Sequence, residues 1–159
     1  MTQPPAIPSD SIVIEPAGWR DLNQLRQLEK VCFPQDAWPL WDLLGVLTFP
    51  NVARFKAIHD GQMVGFIAGD IRGAEHISWI ATVGVLTEYR GRGIGTRLIQ
   101  ACEAQLPTAA IRLCVRTTNQ PAINLYQQLG YRVVGTWQRY YQDREDALVM
   151  EKIRPEPAG

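Results

Sequence analysis

The sequence predicts a single α/β domain built on one mixed sheet with helices on both faces. Three observations carry that expectation. Apolar periodicities run along the chain in the order β-α-α-β-β-β-α-β-α-β-β. Asp60-Gly61 between two β-rich runs is a strong hairpin signal and places an antiparallel pair at the centre. The 159 residues suffice for one domain that buries about two-thirds of the unfolded surface, and leave no room for a second.

Taken in order, residues 1–10 are proline-rich and patternless and are expected to form a flexible leader, with the domain over 11–153 and a flexible tail over 154–159. Ile12-Val13-Ile14 reads as a first strand. Leu22, Leu25, Leu28, Val31 and Cys32 then recur at helical spacing, which predicts a helix from about Gly18 to Cys32, stopped by Phe33-Pro34. Trp38-Pro39-Leu40-Trp41 opens a second helix that reaches about Thr48. Val52–His59 and Met63–Ile71 are the hairpin strands, with His59 expected as an exposed turn residue, and Ile77–Val85 is the next strand. Ile94, Leu98, Ile99, Ala101 and Cys102 make the inner face of a helix that Pro107 ends. In the following strand Ile111, Leu113 and Val115 alternate with Arg112, Cys114 and Arg116, so one face is apolar and the other sets Cys114 between two cations. Asn119 starts the last helix and Gly130 closes it; Tyr131–Tyr140 and Ala147–Ile153 complete the sheet.

Composition narrows the function classes. The 16 basic and 16 acidic residues cancel, so there is no global field to attract nucleic acid or an anionic membrane. The three cysteines, Cys32, Cys102 and Cys114, form no C-x-x-C pair, and their odd number argues against a secreted disulfide framework, so a reducing cytoplasm is expected. The first residues have neither the basic nor the apolar region of a signal peptide, and no run approaches membrane-spanning length. Neither a metal nor a nucleic acid or membrane partner is expected, and oligomeric state cannot be read from the sequence.

The most informative stretch runs from Val83-Gly84-Val85 through Arg90-Gly91-Arg92-Gly93-Ile94-Gly95-Thr96 into a helix. The first turn of a helix carries unpaired N–H groups and the positive end of the macrodipole, so it can hold a phosphate that the glycines allow to approach. A nucleotide-triphosphate loop would need Gly-Lys-Ser or Gly-Lys-Thr, and Gly95-Thr96-Arg97 supplies no lysine. A Rossmann fingerprint would need G-x-G-x-x-G and an acid at the end of the next strand, which here ends in Arg116-Thr117-Thr118. A flexible turn that binds nothing stays open on the glycines alone.

Arg90-x-x-Gly93-x-Gly95 after an apolar strand, followed by Asn119-x-x-Ala122-x-x-Leu125-Tyr126-x-x-x-Gly130-Tyr131, resembles the motifs of GNAT-superfamily N-acetyltransferases over roughly Ile12 to Ile153. Val115-Arg116-x-x-Asn119, Leu125-Tyr126 and Tyr140-Tyr141-x-x-x-Glu145-Asp146-Ala147 are similar to the RimI type, which acetylates protein N-termini such as those of ribosomal proteins. The resemblance implies a mostly antiparallel sheet with a splayed strand pair that holds acetyl-CoA as co-substrate. It implies that the pyrophosphate sits on the N–H groups from Gly91 to Thr96, with Arg90 or Arg92 adding charge. The pantetheine arm would pair with Val83-Gly84-Val85, Gly84 suiting close approach, and an N–H of Val83 or Val85 would polarise the acetyl carbonyl. Asn119 would touch the cofactor, although capping its own helix accounts for it equally well.

Tyr126 matches the family's proton-donating tyrosine, and a phenol with a pKa near 10 is protonated at neutral pH, as a general acid must be. The sequence departs from the RimI pattern at Cys114, where that type carries a glutamate base. A thiol with a pKa of about 8.5 replaces it poorly unless Arg112 and Arg116 depress it, and a structural role is the competing account. Without a base an α-amine, about a tenth neutral at pH 7, is favoured over a lysine. Water held by Glu75, His76, Asp36 or backbone carbonyls would carry the proton away. Gln35, Asp36, Trp38 and Trp41 fall in the segment lining the family's acceptor groove, and Tyr140-Tyr141 would shape the peptide entrance; core packing is the alternative for the tryptophans. A small-molecule amine acceptor and a silent acyl-CoA-binding module both stay open.

Overall fold

The computed structural model describes residues 11–155; the expected leader over 1–10 and most of the expected tail lie outside the described residues. Seven strands form one sheet in the order β1-β2-β3-β4-β5-β7-β6. They are β1 (Val13–Pro16), β2 (Val52–His59), β3 (Gln62–Arg72), β4 (Ile77–Val85), β5 (Ala110–Arg116), β6 (Arg132–Trp137) and β7 (Ala147–Ile153). All neighbours are antiparallel except β4 and β5, which run parallel. The helices are α1 (Leu22–Cys32), α2 (Leu40–Thr48), α3 (Ile94–Gln105) and α4 (Gln120–Gln128).

Local chemistry sets the element ends. The first helix opens with a separate 3₁₀ turn, Trp19–Asp21, in which the Asp21 carboxylate accepts from the Gly18 N–H at 2.8 Å. Val31, expected on the inner stripe of α1, is exposed instead, while Leu25 and Leu28 are buried. Pro39 precedes the first turn of α2, so that helix starts at Leu40 rather than Trp38. Asp60 and Gly61 both take positive φ, at 50° and 76°, as a two-residue hairpin turn requires. The strand expected to reach Tyr140 stops at Trp137, because Arg139 turns to φ 53° and gives its N–H to Asp146 Oδ1 at 2.9 Å. Arg154 does not belong to a free tail. Its guanidinium donates to the carbonyls of Glu103, Leu106 and Thr108, closing the C-terminal end of α3.

The helices divide between the two faces. A Cβ on Gly84 would meet Phe33 and Cys32 at the end of α1, whereas one on Gly65 would meet Leu98 of α3. Gly65 pairs with Val85, one residue along from Gly84, and successive residues point to opposite faces. So α1 covers one face and α3 the other. Leu98, Ile99 and Cys102 are completely buried on the α3 side, each aliphatic chain contributing about 2 kcal/mol. Leu125 of α4 lies within van der Waals reach of a Cβ on Gly95, which sets α4 beside α3 on that same face.

Candidate active site

The site begins with a defect in the sheet. Ala68 pairs with Thr82 and Gly69 with Ile80, so Ala81 is an extra residue that bulges β4. The parallel pairing of β4 with β5 extends only from Ile77–Ala110 to Ile80–Leu113 and ends at that bulge. Beyond it the two strands part around a cleft of about 830 Å³, within the range of small-molecule and cofactor sites. The Leu86 N–H donates to Val64 across the β3 side. Alternation along the strand therefore turns the main-chain polar groups of Val83 and Val85 toward the cleft. The Val85 carbonyl accepts from Arg90 Nε at 3.1 Å, which brings that guanidinium to the cleft wall.

One end of the cleft is the start of α3. Gly91 and Gly93 stand at φ 75° and 78°, a region that a side chain makes costly. Gly93 is the N-cap and has no side chain to satisfy the first helical N–H groups, so these face the cleft with Gly95 and Thr96 in its wall. This geometry suits a diphosphate.

The middle of the cleft holds Tyr126 and Cys114. Tyr126 is only 8% exposed, and burial pushes its phenol up to about 12. Its hydroxyl has no hydrogen-bond partner among the described residues, so it is a neutral donor with its proton uncommitted. Burial likewise pushes the half-buried Cys114 thiol up to about 11. Asn119 Oδ1 caps α4 by accepting from the Ala122 N–H at 3.3 Å, and the residue also lines the cleft.

The far end is acidic. Arg116 binds Asp36 at 2.5 Å, Asp143 at 2.9 Å and Glu145 at 2.9 Å, and its guanidinium lies 4.2 Å from the Tyr141 ring centre. Burial alone would lower the Arg116 pKa, and the hydrogen bonds to Asp36, Glu145 and Asp143 outweigh it, so the cation is held firmly charged. Three carboxylates around one cation leave local negative charge, which suits an ammonium group. Asp36, Trp38, Cys114, Tyr140 and Tyr141 also border an adjoining cavity of about 240 Å³ that extends this end outward.

A model of the Acetyltransferase (GNAT) family matches residues 19–131, more than half of the chain. The chain belongs to the GNAT acetyltransferase family. It is 32% identical over 151 residues to an N-alpha-acetyltransferase of Sulfurisphaera tokodaii, covering 86% of this chain and 90% of that one. It is also 32% identical over 143 residues to the N-alpha-acetyltransferase RimI of Mycobacterium tuberculosis, covering 87% and 90%. Among solved structures it is similar to Arabidopsis thaliana Naa50 in complex with the bisubstrate analogue CoA-Ac-MVNAL, at 29% identity and a TM-score of 0.75, covering 89% of this chain and 98% of that one.

Several expected site residues of this acetyltransferase sit together: Val83, Val85, Arg90, Gly91, Gly93, Ile94, Gly95, Thr96, Cys114, Asn119 and Tyr126 all border the cleft. Others need correction. Arg92 lies outside the wall and turns back to the Glu88 carbonyl at 3.3 Å, so Arg90 is the cation of the loop. Gly84 borders the cleft, but its missing side chain makes room for Cys32 and Phe33 and not for a ligand. The flanking arginines do not depress the Cys114 thiol: Arg112 is committed to Glu151 at 2.6 Å and Arg116 to its three carboxylates. A neutral thiol is neither base nor nucleophile at pH 7.

Glu75 and His76 sit before the first residue of β4, several residues from the bulge, and are outside both cavities. Trp38 joins the wall with Gln35 and Asp36, whereas Trp41 is 77% exposed and turned away. His59 is not an exposed turn residue; its Nδ1 meets the Tyr89 hydroxyl at 2.8 Å, fastening the β2–β3 hairpin to the glycine loop. The sequence reading passed over the pairing of Arg116 with Asp36, Asp143 and Glu145. Arg116 meets partners 27, 29 and 80 positions away, a spacing no local pattern carries.

Proposed function

We propose that this acetyltransferase transfers the acetyl group of acetyl-CoA to the N-terminal α-amine of a protein by direct attack within a ternary complex. The observation that carries the reading is the joining, in one cleft, of a helix N-terminus bared by glycines to a carboxylate-rich end along a strand edge that has parted from its neighbour. The names of the relatives and of the bisubstrate complex above support the same donor and acceptor.

The residues divide the work. The first N–H groups of α3, with Arg90, suit the diphosphate of coenzyme A. The thioester carbonyl, lying along β4, would be polarised by the amide of Val83 or Val85. Asp36 and the adjoining carboxylates favour an incoming ammonium, and Trp38 and Tyr141 give the acceptor apolar walls. Tyr126 supplies a proton to the departing sulfur. Its pKa of about 12 keeps the phenol protonated at neutral pH, so a proton is in place as the sulfur departs. The peptide amine, with a pKa near 8, is far easier to deprotonate at pH 7 than a lysine amine near 10.4.

The test is a thiol-release assay over N-terminal peptides, polyamines and aminoglycosides, with mass spectrometry to locate the acetyl group. Turnover on peptides with the label on the α-amine is expected. Turnover confined to small amines would move the acceptor class, and acetyl-CoA binding with no turnover on any acceptor would identify a silent module. We further propose a cytoplasmic location, in keeping with the three unpaired cysteines; cell fractionation tests it.

A further inference from the structure

The mechanism above leaves open where the amine's proton goes, since Cys114 is a neutral thiol. One buried carboxyl near the cleft forms no ion pair among the described residues. Glu29, on α1, is 2% exposed. Its Oε1 accepts from Thr82 Oγ1 at 3.2 Å, while its buried Oε2 has no hydrogen-bond partner among the described residues. Burying a carboxylate this way costs free energy unless a cation or several donors answer it. The other buried glutamate shows the contrast, because Glu103 is held by Tyr131 at 2.8 Å and Lys152 at 3.1 Å.

Thr82 connects this carboxyl to the chemistry. It borders the cleft next to Val83, immediately after the bulge at Ala81. It shares a strand face with Gly84, the face covered by α1, whereas Tyr126 belongs to α4 beside α3 on the opposite face. The parted strands thus have a hydroxyl–carboxyl pair on one side and a phenol on the other. Asp36 and Trp38, on the segment following α1, place the acceptor end beside the carboxyl pair.

We propose that Glu29, acting through the Thr82 hydroxyl, accepts the proton of the attacking amine. An N–H bond of the ammonium breaks and its proton passes to Thr82 Oγ1, while the Thr82 hydroxyl proton passes to Glu29 Oε1. The carboxylate becomes a carboxylic acid, and the amine's freed electron pair attacks the thioester carbon; as the C–S bond breaks, Tyr126 protonates the sulfur and the nitrogen's second proton replaces the one Tyr126 gave up. After product leaves, the proton returns by the same pair to water in the cleft. No further reactant is needed. The step rests on the acetyl transfer proposed above.

Burial raises the Glu29 carboxyl to about 7, opposed by the Thr82 hydroxyl and then by the Trp38 main-chain N–H, which is the range a base working at neutral pH needs. The ionisable groups on that side are Cys32 on the same helix and, acting on Cys32 with Glu29, Arg90 and Glu88. Asp36 is already committed to Arg116.

The experiment compares wild type with Glu29→Gln, Thr82→Val and Thr82→Ser, recording kcat on an N-terminal peptide from about pH 5.5 to 9.5, where both the carboxyl and the amine titrate. Carbon-detected NMR follows the Glu29 carboxyl in the same protein without substrates. Expected are a carboxyl titration near 7 and an acid limb of kcat near 7 in wild type. In Glu29→Gln the limb moves to the amine's own value of about 8, kcat falls at least about tenfold, and the KM for acetyl-CoA holds. Thr82→Val behaves alike, combining it with Glu29→Gln adds nothing, and Thr82→Ser retains activity. If Glu29→Gln fails to fold, Thr82→Val carries the test. An unchanged kcat and limb in the variants, or a carboxyl titrating in the ordinary range, overturns the inference while leaving acetyl transfer intact. A wild type inert on every amine defeats both.

Discussion

Arg116 holds Asp36 with two donors, Nε at 3.1 Å and Nη2 at 2.5 Å, across 80 positions of sequence. That grip fixes the segment after α1 against β5, and with it Gln35 and Trp38 in the cleft wall. The fork is geometric as well as electrostatic, so lysine is not an equivalent residue. Arg116→Lys is expected to raise the KM for peptide about tenfold and to leave the Kd of coenzyme A unchanged, because the change lies at the acceptor end. Arg116→Ala leaves three carboxylates facing one another and is expected to cost about 1–3 kcal/mol of stability as well. Steady-state kinetics and calorimetry check both. A change in coenzyme A affinity with no change for peptide would contradict the assignment of the two ends.

At the other end, Gly93→Ala places a side chain at φ 78°, strained by about 1–2 kcal/mol, directly at the bared helix start. Calorimetry is expected to show coenzyme A binding weakened by about tenfold or more, while N-terminal peptide acceptors, whose end of the cleft lies away from this loop, keep their affinity. Equal affinity for coenzyme A in the variant would place the diphosphate elsewhere.

Tyr126→Phe separates chemistry from packing. The hydroxyl has no partner among the described residues, so removing it is expected to leave the melting temperature unchanged or slightly higher. Loss of the proton donor lowers kcat by a factor of about 10² to 10⁴ with little change in either KM. A large fall in stability would mean that the phenol serves the core instead.

Cys114→Ala tests the neutral thiol. Since burial holds it at about 11, it contributes no base or nucleophile at pH 7, and the alanine variant is expected to retain kcat within about twofold. Alkylation of wild type should be slow at neutral pH and should speed up as pH rises. Loss of activity in Cys114→Ala with an unchanged fold would restore a chemical role to this position.

The elements that repeat a local pattern are legible in the sequence. Ile77–Val85 and Ala147–Ile153 appear with the expected ends, and Asp60-Gly61 makes the expected turn. Short-range rules suffice there because alternation and turn chemistry involve neighbours. The glycine loop was legible for the same reason. What stayed hidden depends on long-range pairing. The bulge at Ala81 follows from how β3 and β4 register, and the raised Glu29 carboxyl from what α1 packs against. Gly84 shows how a correct location can carry a wrong cause: it borders the cleft, yet the helix behind it is what requires the glycine. Glu75 and His76 fail because they precede the first residue of β4, and that strand lines the cleft only from Ile80 onward.

The Glu29 carboxyl also leaves a mark on stability that does not depend on turnover. Its folded-state value of about 7 lies above the ordinary 4.5, so between these the folded chain keeps a proton that the unfolded chain releases. Stability then falls as pH rises through that window, by up to about 1.4 kcal/mol per unit and on the order of 3 kcal/mol in all. Below the window both states are protonated and above it both are ionised, so this group adds no slope in either region. Glutamine keeps the shape and an acceptor for Thr82 but cannot ionise. The stability of Glu29→Gln relative to wild type is therefore expected to improve by that order on going from mildly acidic to mildly alkaline buffer, as measured by urea unfolding at each pH. A difference between the two proteins that stays constant with pH would mean that the wild-type carboxyl is charged throughout, with an answering group that its surroundings do not reveal.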